Sequence, residues 1–147
     1  MRIRLHIAGA FALLLAAASS AAGETYRRAE LPQYTLSIYR FLMDWAVTHQ
    51  LRETAGTRTG TTNQYLRYAP DKALAVCIDW PASTPKAPVA VALGQSWEQR
   101  STARARESAL SFCERFKRGR ACDCTIVDVN EKSALELPPA FVARHFR

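Results

Sequence analysis

Residues 73–80 read ALAVCIDW, and this stretch decides the fold. Its bulky side chains alternate with shorter ones and are Leu74, Val76, Ile78 and Trp80. This period of two predicts a β-strand with one bulky face and one small face. Residues 89–96 (VAVALGQS) alternate in the same way, with Ala90, Ala92 and Gly94 on one side. Two consecutive strands with small residues on one face predict a helix packed closely against that face.

A helical pattern follows directly, at residues 101–118. Ser101 can cap its N-terminus, and Gly119 ends it after two basic residues that the helix dipole favours there. The predicted core stripe consists of Thr102, Ala105, Ala109, Phe112 and Phe116, with Cys113 at its edge.

Residues 122–129 alternate as a third strand. One face holds Thr125, Val127 and Val129, and the other holds Cys122, Cys124, Ile126 and Asp128. We therefore expect an α+β fold, in which a small three-stranded antiparallel sheet carries one main helix. Residues 64–137 form this helix-on-sheet core, and residues 138–147 are a short terminal helix or tail.

A second helix is predicted before the sheet, at residues 36–50. The residues of its apolar face recur at helical spacing and are Ile38, Phe41, Leu42, Trp45 and His49. We interpret this face as core packing and His49 as a packed, hydrogen-bonded side chain. Residues 23–35 contain Pro32 and are interpreted as an extended lead-in.

The first 22 residues have the pattern of a secretory signal peptide. Arg2 and Arg4 precede an apolar run from Ile7 to Ala18, and small residues follow up to Ala22. Cleavage there removes 22 of the 147 residues and two arginines, so 125 residues remain and the net charge falls from +7 to +5. We expect residues 23–147 to form one exported domain, periplasmic or extracellular, with no transmembrane span in the mature chain.

Four cysteines lie in the mature chain, at Cys77, Cys113, Cys122 and Cys124. In an oxidising compartment an even number of cysteines usually forms disulfides. A Cys122–Cys124 bridge would strain the bond geometry, which leaves two pairings. The short connection between helix and third strand favours Cys113–Cys122 together with Cys77–Cys124. A thiolate metal cluster is the alternative, although structural zinc sites usually place about two to four residues between paired cysteines.

The run from Tyr65 to Leu137 resembles a family of small secreted bacterial domains. The resemblance rests on KALAV at residues 72–76, on S-x3-A-x3-AL-x2-C from Ser101 to Cys113, and on C-x4-VD from Cys122 to Asp128. It covers about half of the chain and implies a helix-on-sheet unit with a helix-to-strand disulfide. The family has no agreed activity, so the resemblance implies no catalytic residues.

Arginine outnumbers lysine by 16 to 4 in the chain. Four arginines share one side of the predicted main helix, opposite its core stripe: Arg100, Arg104, Arg115 and Arg118. Such a side is usually a solvated face with ion pairs, here to Glu107 and Glu114. The four arginines could alternatively form an anion-binding surface, because the guanidinium group pairs well with carboxylate and phosphate.

No phosphate-binding glycine loop, G-x-S-x-G elbow or H-E-x-x-H motif occurs in the sequence. We therefore expect a non-enzymatic accessory or binding module that contacts an anionic envelope component or another envelope protein. No cofactor, metal or nucleic acid is expected. The alternatives are a small secreted hydrolase and a thiol or metal-binding protein. The hydrolase would work from Asp79, Asp123, Asp128, His49 or His145.

Overall fold

The computed structural model describes residues 24–54, 64–67 and 70–147. The predicted signal peptide lies outside these residues. Four helices are present in this part of the chain: α1 Leu31–Thr54, α2 Gln64–Arg67, α3 Thr102–Phe116 and α4 Pro139–His145. The strands are β1 Ala73–Ile78, β2 Ala90–Ser96, β3 Asp123–Val129 and β4 Lys132–Ser133. They form one antiparallel sheet in the order β2-β1-β3-β4, so the α+β class is confirmed and the strand count of three was one short.

The additional strand, β4, pairs with the end of β3 through a tight hairpin. Asn130 and Glu131 form the turn, with φ of 51° and 64°. A two-residue turn with both positions left-handed is usually signalled by Asn-Gly or Asp-Gly. The second position here is a glutamate, so the sequence carries no clear hairpin signal.

β1 is one of the two inner strands, and all six of its residues are buried because both faces of the sheet are covered. Its bulky residues pack with α1 and α4 around Ile38, Leu42 and Phe141. Its small residues pack beneath α3, against Ala105 and Ala109. A Cβ atom at Gly94 would collide with the backbone of Ala109 and Cys113, so glycine is what allows α3 to approach β2 this closely.

The helix capped by Ser101 is confirmed, since its hydroxyl accepts a hydrogen bond from the Arg104 amide at 3.3 Å. The buried face of α3 is centred on Ala109 and Cys113 and excludes the phenylalanines of the predicted core stripe. Ala105, Ala109 and Cys113 are fully buried, whereas Phe116 is 52% exposed. Because the facing strands present small residues, α3 lies too close to the sheet for phenylalanines to fit between them.

α1 is longer than predicted and is rotated about its axis relative to the prediction. It begins at Leu31. Pro32 fits in the first helical turn, where its missing N–H needs no partner. The fully buried residues are Ile38 and Leu42, followed by Ala46. Phe41 is 42% exposed. The aromatic residues therefore lie beside the buried stripe. Residues 31–35, predicted to be extended, are helical.

A bulge in β3 changes the face on which its last residues lie. Ala75 pairs with Ile126 and Leu74 with Asp128, so Val127 is an extra residue between the two pairs. Val127 and Asp128 consequently both lie on the α1 side, where Val127 joins the core and Asp128 bonds to tyrosines. The predicted alternation holds as far as Val127 but is wrong from Asp128 onward, because it placed Asp128 on the same face as Cys124.

All four cysteines form disulfides, but in the other of the two pairings left open by the sequence. The bonds are Cys77–Cys122 and Cys113–Cys124, with Cα atoms 5.4 Å and 6.0 Å apart. Cys113 lies in the last turn of α3, and β3 passes beneath that turn at Cys124. Cys122 precedes β3, so the short connection carries it past the helix end and leaves it within reach of Cys77.

The C-terminal residues form α4 rather than an irregular tail. Tyr26 makes a parallel bridge to Phe146, and the Arg28 amide donates to the Arg147 carbonyl at 2.7 Å. Within the described ranges, no helix is both long and apolar enough to cross a membrane.

Candidate functional site

A buried polar network lies between α1, α2 and the end of β3. Its centre is Asp128, which is fully buried. Tyr39 donates its hydroxyl to one carboxylate oxygen at 2.8 Å, and Tyr65 donates to the other at 2.5 Å. The Glu131 amide donates a third hydrogen bond at 3.0 Å.

Lys72 extends this network to the β3–β4 hairpin. Its ammonium group lies 2.5 Å from a Glu131 carboxylate oxygen and 5.3 Å from the centre of the Tyr65 ring. The Lys72 side chain is 3% exposed, whereas that of Glu131 is 58% exposed. A buried ammonium needs such partners, because an unpaired charge in an apolar interior is very costly. We call Tyr39, Tyr65, Lys72, Asp128 and Glu131 the tyrosine–aspartate network.

This network connects α1 and α2 to the β3–β4 hairpin. Burial, followed by the hydrogen bond to Asp128, raises the pKa of Tyr39 and of Tyr65 well above the usual value for a phenol. Both phenols therefore remain protonated donors at physiological pH. The Asp128 carboxylate is fully buried and already accepts three hydrogen bonds, so a substrate has no access to it.

The other carboxylates named for a hydrolase do not join Asp128. Asp79 accepts the Ala82 amide at 3.0 Å and thereby closes the turn after β1. Asp123 is exposed and pairs with Ile78, whereas Asp128 pairs with Leu74 at the other end of β1. Four residues of strand separate these ends, or roughly 13 Å. The structure therefore does not bring the three aspartates together.

The two histidines of the described chain occupy separate environments. His145 is buried on α4, where the Arg144 side chain donates to its Nε2 atom at 2.9 Å. Burial, with a smaller contribution from the Arg144 charge, lowers the pKa of His145, which keeps the ring neutral. His49 is half-buried near the end of α1 and stacks on Trp45, with ring centres 4.7 Å apart.

The predicted arginine surface does not form one helical stripe. Only Arg104 and Arg115 lie on α3; Arg104 pairs with Glu107 at 3.0 Å, and Arg115 lies 5.5 Å from the Phe112 ring centre. Arg100 precedes the helix. Arg118 follows it, with a φ of 48° that takes it off the helical path. The wheel that aligned four arginines assumed a longer helix than the one present.

A different group of basic side chains converges on a cleft beside β2, which we call the basic cleft. It has a volume of about 160 Å³ and is lined by His49, Val91, Ala92, Leu93, Phe116, Arg118 and Arg120. Arg120 donates to the Val91 carbonyl at 3.2 Å, which holds its side chain against the edge strand. Of the residues that the structure describes, none that lines the cleft is acidic.

Left-handed backbone after α3 places the two arginines. Arg118 and Gly119 have φ of 48° and 75°, so the chain turns sharply away from the helix axis. Glycine adopts this conformation without strain, which makes Gly119 a suitable helix terminator. Phe116, on the last turn of the helix, remains beside both arginines at the cleft.

An aromatic groove on α1 adjoins the basic cleft. It has a volume of about 270 Å³ and is lined by Phe41, Asp44, Trp45, Thr48 and His49. His49 lines both depressions, so they form one continuous surface. The surface therefore combines guanidinium groups at one end with half-exposed aromatic rings at the other.

Comparisons of the chain with protein-family models, curated proteins and solved structures find no significant match. The resemblance to a secreted domain family stays a prediction.

The sequence predicted neither the basic cleft nor the tyrosine–aspartate network. The signal for the cleft was Phe116 followed closely by Arg118-Gly119-Arg120, with the glycine between two basic residues. The signal for the network was an aspartate, Asp128, between the two valines near the end of β3. Neither signal indicates which distant residues will join it.

Proposed function

We propose that the protein is an exported, non-enzymatic binding module that holds an anionic group of an envelope component in the basic cleft. The observation that carries this proposal is the convergence of Arg118, Arg120 and His49 on one cleft with no acidic lining residue in the described part of the chain. Guanidinium groups suit phosphate and carboxylate because they donate paired hydrogen bonds in a plane.

The form of the surface supports an amphiphilic partner. Phe116 and Phe41 are 52% and 42% exposed, and both line the continuous surface described above. Aromatic side chains beside cations are typical of surfaces that contact a charged headgroup and the apolar region next to it. An anionic phospholipid headgroup at the outer face of a membrane provides both features.

In the described part of the chain, the candidate catalytic side chains do not converge on one accessible site, and this supports the non-enzymatic part of the proposal. Asp128 is enclosed, Asp79 closes a turn and His145 accepts a hydrogen bond from Arg144. A broad hydrolase screen of the purified domain is expected to show no turnover. Turnover that depends on one of these side chains would overturn this part of the proposal.

Binding is tested by cosedimentation of residues 23–147 with vesicles of phosphatidylglycerol in phosphatidylcholine, compared with phosphatidylcholine alone. Each arginine near an anionic surface contributes about 1 kcal/mol, so the Arg118→Ala/Arg120→Ala variant should bind about 30-fold more weakly. The matched control is Arg104→Ala/Arg115→Ala, which removes the same charge from the outer face of α3.

The two double variants separate the possible results. A loss confined to Arg118→Ala/Arg120→Ala supports the basic cleft. Equal losses indicate attraction by net charge alone, and a loss confined to Arg104→Ala/Arg115→Ala assigns binding to the outer face of α3. Either of these results, or no preference for anionic vesicles, refutes the proposed site.

A further inference from the structure

The two disulfides lie side by side in a single cluster of sulfur atoms. The Sγ atoms of Cys77, Cys113 and Cys124 lie within 4.8 Å of one another, and Cys122 is bonded to Cys77. No cysteine in the described chain is outside this cluster.

The backbone positions of the cluster do not depend on the disulfides alone. Cys77 and Cys124 are direct partners in the β1–β3 ladder, so the hydrogen bonds of the sheet set their separation. Cys113 lies over them because α3 packs on small residues of β1 and β2. Three secondary-structure elements therefore present sulfur atoms towards one point.

The surroundings suit a soft metal ion. Cys77 and Cys113 are fully buried, and the neighbouring side chains are mainly the methyl groups of Ala75, Ala92 and Ala109. Cys122, at 9% exposed, lies at the rim and provides a route from solvent. A dry pocket of thiolates favours Zn²⁺ over hard cations such as Mg²⁺ and Ca²⁺.

We propose that the reduced protein binds one Zn²⁺ ion between Cys77, Cys113 and Cys124, with Cys122 as the fourth ligand. A tetrahedral site with Zn–S bonds of about 2.3 Å places its sulfur atoms about 3.8 Å apart. In the oxidised protein the Sγ atoms of Cys113 and Cys124 are bonded at 2.04 Å, and that of Cys77 lies within 4.8 Å of both. After reduction, rotation of the cysteine side chains can separate the bonded pair to the tetrahedral spacing while Cys77 moves closer.

The oxidised and reduced forms are related by a balanced reaction. A water-soluble phosphine gives two electrons to each disulfide, the two new thiols take their protons from water, and the oxygen of that water becomes that of the phosphine oxide. Zn²⁺ then displaces the thiol protons as the thiolates coordinate it. The same four cysteines thus stabilise the fold either as two covalent links or as one metal site, and this inference does not depend on the proposed function.

The test titrates Co²⁺, a spectroscopic substitute for Zn²⁺, into residues 23–147 after reduction by phosphine and anaerobic removal of the excess. We expect one equivalent to bind with the visible absorption of tetrahedral Co²⁺–thiolate, and Zn²⁺ to abolish that absorption. The oxidised protein is the control and should take up none. The absence of stoichiometric binding by the reduced protein would overturn the inference.

Variants and a folding measurement make the result specific to the native cluster. Cys113→Ser/Cys124→Ser leaves only two thiolates and should lose the tetrahedral absorption, whereas Cys122→Ser should retain it because three thiolates and a water still complete the site. The tyrosine and tryptophan bands in the near-ultraviolet circular dichroism of the reduced, metal-loaded protein should match those of the oxidised protein. Binding by Cys113→Ser/Cys124→Ser as tight as that of the natural sequence, or metal binding without native circular dichroism, would contradict the proposal.

Discussion

Removal of a single hydroxyl group from Tyr65 should destabilise the protein more than the same change at Tyr39. Both hydroxyls donate to the carboxylate of Asp128, at 2.5 Å from Tyr65 and 2.8 Å from Tyr39. Tyr65 is 2% exposed, whereas Tyr39 is only half-buried. The pair Tyr65→Phe and Tyr39→Phe therefore compares one chemical change at two depths.

The expected magnitudes follow from what replaces each hydroxyl. A hydrogen bond to a charged group contributes about 1.5–3 kcal/mol, and leaving a buried acceptor short of a donor adds a desolvation cost. At Tyr65 no water can take the vacant position, so we expect Tyr65→Phe to lower the free energy of unfolding by about 2–3 kcal/mol. Water can replace the Tyr39 hydroxyl, so Tyr39→Phe should cost about 1 kcal/mol.

Urea denaturation of residues 23–147, followed by circular dichroism, measures both values. The slope with denaturant should be the same in the three proteins, since neither substitution changes the surface exposed on unfolding. The melting temperature should fall by about 3–6 °C for each kcal/mol. A loss below about 0.5 kcal/mol for Tyr65→Phe, or an equal loss in both variants, would refute the assignment of Asp128 as a buried acceptor that depends on Tyr65.

Three further predictions concern packing, protonation and covalent links. Gly94→Ala should lower the free energy of unfolding by at least about 1–3 kcal/mol, measured in urea, because the added Cβ meets the backbone of α3. The pKa of His145 is lowered from 6.5 in the folded state, so its contribution to stability is present above that pH and is lost as the pH falls through the folded pKa. Denaturation at about pH 7.5 and about pH 5 should show this loss, and His145→Gln should reduce it. Removing the Cys77–Cys122 bond, which spans 45 residues, should cost about 4 kcal/mol, against about 3 kcal/mol for Cys113–Cys124, which spans 11. A larger loss for the shorter loop would contradict this order, and peptide mapping by mass spectrometry checks the pairing itself.

Local patterns determined the parts of the fold that the sequence predicted. The alternation of β1 and the cap at Ser101 depend on near neighbours in the chain, and both are present. The helix on the small face of the sheet follows from the small residues of β1 and β2, and α3 lies there.

The incorrect predictions concerned features that the periodic spacing of apolar residues does not specify, such as a bulge or a contact between distant segments. The bulge at Val127 is a single extra residue, and it reverses the face of Asp128 without altering the composition of the strand. The disulfide pairing depended on whether Cys122 or Cys124 lies beneath the end of α3, a difference of two residues. The basic cleft joins α1 to the end of α3, so it could be found only once both were placed beside β2.

The two faces of the sheet should respond in opposite ways to changes in side-chain volume. On the α3 side, apart from the disulfides and Ile126, the contacts are mainly alanine methyl groups and a glycine, so there is little to remove and almost every enlargement causes a clash. On the α1 side the contacts are large residues such as Ile38, Leu42 and Phe141, where truncation opens a cavity and modest enlargement is better tolerated. A saturation scan of β1 should therefore alternate residue by residue between intolerance of larger and intolerance of smaller side chains, except at Cys77, where any replacement also removes a disulfide. That alternation would show, from mutational data alone, that the sheet lies between two helical layers.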